Sequence, residues 1–101
     1  MKAIKELVCN MREELEDAEK YAKAAMQYKT EDPRLGDMYA TLARAELDHC
    51  TIQHDHAVRL IDDYRKDHTP PEAMMAIWDW EHEQMIDHKA RITVMLNMYK
   101  N

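Results

Sequence analysis

A chain of 101 residues has room for one domain with a modest core, and self-association would help it bury apolar surface. Its formal net charge of −6 argues against nucleic acid or an anionic membrane surface as a partner. One glycine and three prolines are too few for a sheet-and-turn protein, while Ala, Leu, Met, Glu and Lys dominate, so an all-α class is expected.

Punctuation divides the chain into three helical stretches within a single domain over 1–101. The first runs from Lys2 to about Lys29 and is ended by Thr30-Glu31-Asp32-Pro33. Asp32 suits the N-cap of a second stretch, with Pro33 at its first position, where a missing N–H costs nothing. That stretch continues to about Lys66. Thr69, followed three residues later by Glu72, reads as a capping box with Pro70 at the first helical position, and a third stretch then reaches about Tyr99. Short connections predict an up-down-up bundle. No apolar run approaches the roughly 20 residues that span a bilayer. Met1 to Glu6 lack the organisation of a signal peptide, and Cys9 and Cys50 form no CxxC pair, so a cytoplasmic address is expected.

Each stretch carries an apolar stripe of helical period. The first is Ile4, Val8, Met11, Leu15, Ala18, Ala22 and Ala25. The second is Leu35, Tyr39, Leu42, Ala57, Leu60 and Tyr64, and the third is Met74, Ile77, Met85, Ile92, Met95 and Tyr99. The nine methionines read as adaptable core filler, and Cys50 as a small buried hydrophobe. His54, His68 and His82 project away from the stripe centres and read as surface residues.

The chemistry lies where the stripes turn polar. Glu46, His49 and Gln53 interrupt the second, and Glu81, Gln84 and His88 the third. A carboxylate in a core must be paired, hydrogen-bonded or metal-bound. The spacing Glu46-x-x-His49 sets a carboxylate beside an imidazole on one helical face, and both are ligands for first-row metals. Folding the helices about their connections tests which groups can meet. Glu14 falls beside His49, and His88 falls opposite Cys50, next to His49. Glu81 falls level with Ala57, about 16 Å of helix rise from Glu46, so another partner is expected for it, His56 or a second subunit. Glu14, Glu46, His49 and His88 are the expected metal ligands. Tyr21, one heptad after Glu14, reads either as a core aromatic or as a hydrogen-bond donor to a ligand carboxylate.

Over about Arg12 to Cys50 these residues resemble the ferritin-like di-iron carboxylate superfamily, most of all its half-length encapsulated ferritins, with rubrerythrins similar over the same stretch. The resemblance is carried by Glu13-Glu14-Leu15-Glu16, Tyr21, the Asp32-Pro33 break and Glu46-x-x-His49. It implies ligand roles for Glu14, Glu46 and His49 and an assisting role for Tyr21. A full site of this kind takes a Glu from each of two helices and a Glu-x-x-His from each of two others, so the chain would hold half, completed in a homodimer or higher homo-oligomer. The long third helix departs from the half-length pattern, and its Glu81-x-x-Gln84 lacks a second histidine.

The expected function is a metal-binding ferritin-like protein, with a ferroxidase or peroxide-consuming activity as its enzymatic form. Iron is the expected metal, with manganese and zinc as alternatives. The competing reading is a non-enzymatic helical interaction module, for example a phage or mobile-element accessory, whose Glu/His/Gln network fixes packing register without metal. Hydrolase or transferase chemistry finds no glycine-rich phosphate loop and no nucleophile elbow.

Overall fold

The computed structural model describes residues 2–100, and among them the chain is three α-helices with no strand. Helix α1 spans Lys2–Tyr28, α2 Pro33–Asp67 and α3 Glu72–Lys100. The molecule measures 55 × 18 × 17 Å, so its long dimension is the length of α2 and the helices lie side by side. Helix α1 packs intimately on α2 and less closely on α3, while α2 and α3 approach each other least. The pairs Arg12–Glu81, Glu19–His88 and Lys29–Met98 all join residues 69 apart in sequence, which makes α1 and α3 parallel and in constant register.

The break before α2 forms as its sequence dictates. The Asp32 side chain accepts from the Leu35 N–H at 3.2 Å, and Pro33 occupies the first turn. The start of α3 differs from the expected capping box. The helix begins at Glu72, and its first turn closes through the Met75 N–H donating to the Pro71 carbonyl at 3.1 Å. The reason is the doubled proline: Pro70 precedes Pro71 and is thereby excluded from helical backbone, so Thr69 stands too early to cap.

The core is built on small residues. Ala18, Ala22 and Ala25 of α1 and Ala40, Ala43, Cys50 and Ala57 of α2 are fully enclosed, together with Ile4, Met11, Leu15, Ile61, Trp78, Ile92 and Leu96. Side chains this short let two backbones come close. At Gly36 the approach is close: an added Cβ would stand 2.8 Å from the Tyr99 hydroxyl and 3.3 Å from the Ala25 carbonyl oxygen. The stripe of α1 is the expected one. That of α2 is turned by about one residue, so Leu42 faces outward at 37 % exposure, and in α3 Trp78 and Leu96 take the core while Ile77 is exposed. No helix among the described residues is long and apolar enough to cross a membrane.

Candidate metal centre

Glu14 projects from α1 toward α2 at the edge of the alanine seam. Glu46 and His49 project from α2 toward α1 along the same edge. One ligand atom from each, two carboxylate oxygens and an imidazole nitrogen, lie within 4.8 Å of one another. The Glu14 Oε2 to His49 Nδ1 distance is 3.5 Å. Adjacent ligands about 2.1 Å from a first-row ion stand about 3.0–3.4 Å apart, so a small inward movement would close this group on a cation.

The two carboxylates oppose each other's ionisation. Glu46 is pushed up to about 7, first by its hydrogen bond to Glu14, then by burial and by the Glu14 charge, with Asp17 adding to the rise and His49 opposing it. Two carboxylates this close do not both ionise readily without a cation between them. Glu14 Oε2 is also buried with no aligned hydrogen bond, as is Oε1 of Gln53, one turn beyond His49 on the same helix. A buried carboxylate oxygen without a hydrogen-bond partner is a donor suited to a metal ion. His49 keeps about half its side-chain surface exposed, so the group opens to the outside on one flank.

The other two residues singled out from sequence lie elsewhere. His88 is level with the group, but its Nε2 stands 3.6 Å from Glu19 Oε1. Glu19 and Glu14 are about 140° apart around α1, so Glu19 faces α3 while Glu14 faces α2, and His88 is not part of the three-residue group. Tyr21 stacks on Tyr39 at 6.1 Å between ring centroids, and Tyr28 stacks on Tyr39 at 6.0 Å. This aromatic row begins two turns along α1 from Glu14.

Two further expectations are corrected. Glu81 pairs with Arg12 of α1 rather than with His56, which is exposed. His54 and His82 are not free surface residues: each is half-buried, and their Nε2 atoms meet at 3.1 Å across α2 and α3. Folding the third helix on the second about Thr69 already places His54 within one turn of His82, a signal that a stripe-by-stripe reading passes over. No family model matches the chain, and no curated protein or solved structure is significantly similar to it, so the ferritin-like resemblance rests on the residues that carry it.

Proposed function

We propose that this chain binds a divalent first-row metal, iron before manganese or zinc, through Glu14, Glu46 and His49, and that two chains complete a ferritin-like two-metal site. The observation that carries this reading is the convergence of three ligand atoms from two helices within 4.8 Å, around a buried carboxylate oxygen with no aligned hydrogen bond. Glu14 and Glu46 supply two negative charges once Glu46 releases its proton. His49 supplies a neutral nitrogen, and the alanine seam holds the two helices at fixed spacing. Bound iron would supply electron transfer toward oxygen or peroxide.

One chain offers too few ligands to enclose a metal pair. Two chains related by a two-fold axis offer four Glu and two His, the full set of this site type. The flank on which the group opens suits that pairing. Met38, Leu42, His49 and Ile52 form an outward row on α2, and Met38, Leu42 and Ile52 are 44 %, 37 % and 59 % exposed. The test is metal analysis of purified protein alongside Glu46→Ala and His49→Ala variants, with solution mass measured before and after chelation. Stoichiometric metal lost in both variants is the expected result. Equal metal in all three proteins would sink the assignment.

A second reading has one observation in its favour. With Glu46 protonated and hydrogen-bonded to Glu14, the pair carries a single negative charge without metal and could fix helix register in an interaction module. That protein would purify metal-free, and a Glu46→Leu, His49→Leu double variant would stay folded or gain stability.

A further inference from the structure

Helix α3 buries one side against α1 and α2 and carries a second pattern on its outer side. Ile77, Trp80, Gln84, Asp87, Arg91, Val94 and Met98 follow one another at alternating steps of three and four residues, and all are exposed. That is the heptad spacing of a helix–helix seam. At about 100° per residue the row lies about 170° around α3 from His82 and Lys89, whose side chains reach His54 and Thr51 of α2. It therefore faces away from α2.

The ends of the row are apolar and its centre is charged. Ile77, Trp80, Val94 and Met98 are 59 %, 58 %, 56 % and 56 % exposed, together on the order of 500 Å² of apolar surface. Asp87 and Arg91 stand one turn apart at the centre, and neither has an ion pair among the described residues. This pattern is complementary to itself when reversed. Laying two copies of α3 antiparallel, with Asp87 level with the partner subunit's Arg91, brings Trp80 level with the partner subunit's Met98 and Gln84 level with the partner subunit's Val94. A two-fold axis forms each of these pairs twice, joining unlike charges at the centre and an aromatic ring to a thioether at each end. A different helix would have to carry the same row in reverse order, whereas a second copy supplies it by symmetry. In area, two such faces bring together about 1,000 Å² of apolar surface and a polar centre, near the lower bound for a specific interface.

We propose that the outer face of α3 is a self-association surface on which α3 of a second copy lies antiparallel, each Asp87 pairing with the partner subunit's Arg91. The contact needs no metal and lies apart from Met38, Leu42 and Ile52, the row assigned above to completion of the metal site. Its modest area makes it weak, so chains held by it alone separate on dilution.

The test uses the full chain carrying Leu42→Glu and Ile52→Glu, with chelator present, so that neither the α2 row nor metal contributes. Its mass at sedimentation equilibrium should be 12.0 kDa at about 10 µM and should climb toward that of a dimer at about 1 mM. Adding Trp80→Glu should hold the monomer mass throughout. Adding Asp87→Arg instead sets like charges against each other and should raise the dissociation constant at least tenfold. Combining Asp87→Arg with Arg91→Asp should restore association, a recovery that a merely misfolded variant does not give. A mass that stays monomeric to about 1 mM would overturn the proposal and leave the row to a helix of another protein. Association unchanged by Asp87→Arg, or not restored by the exchange, would overturn it as well.

Discussion

Glu14 and Glu46 form a carboxylate pair whose behaviour depends on one proton. The folded chain raises Glu46 from its ordinary 4.5 to about 7, through the hydrogen bond to Glu14 above all. Because the folded state holds this proton more tightly than the unfolded state, the pair stabilises the metal-free protein in full below about pH 4.5, and that contribution fades as pH rises through about 7. Urea midpoints of metal-free protein should therefore fall across this range, and Glu46→Gln, which keeps the donor and removes the charge, should flatten the decline. A slope unchanged in the variant would place the proton elsewhere. Metal acts in the opposite direction. The ion competes with that proton, so affinity for Fe(II) or Mn(II), read by titration at fixed ionic strength, should climb with pH through the same interval and level off above it.

Among the helices, the α1/α2 seam depends on side chains that stop at Cβ. Replacing Ala22, at the centre of that seam, by Leu adds three carbons with nowhere to go and should cost about 1–3 kcal/mol in chemical denaturation. On α3, Ile92 is fully enclosed, and Ile92→Ala should cost about 2–5 kcal/mol by opening a cavity. The same elements show how much of the fold is legible in the sequence. Helix α1 is strongly amphipathic, so its stripe and the edge position of Glu14 follow from spacing alone. Helix α2 hides its packing face because Gly36, Ala40 and Ala43 carry little hydrophobicity, and Leu42 draws the reading toward the exposed side. What decides its orientation is close backbone approach, a property of two helices together. Helix α3 is apolar on several sides, so period alone cannot choose Trp78 over Ile77. The axial fold-back about each connection did better. It brings Glu14 to His49 correctly, yet level says nothing of direction around a helix, which is why His88 reaches the right height and the wrong side of α1.

At the scale of the whole molecule, the proposed half-site and the exposed α2 row would be two expressions of one arrangement. If two chains meet along α1 and α2, each metal ion would sit between carboxylates of both, so metal and dimer stabilise each other by the same free energy. The outward row offers a way to separate them. Leu42→Glu with Ile52→Glu leaves Glu14, Glu46 and His49 in place and touches none of the enclosed core residues. It would put like charges on both sides of the proposed two-fold interface. In sedimentation the double variant should run as a monomer of 12.0 kDa and remain as helical as the parent. Its iron affinity should fall at least tenfold, because the monomer keeps only three of the ligands. Monomeric protein that binds iron as tightly as the dimer would mean that the three residues form a complete mononuclear site and that the exposed row serves another contact.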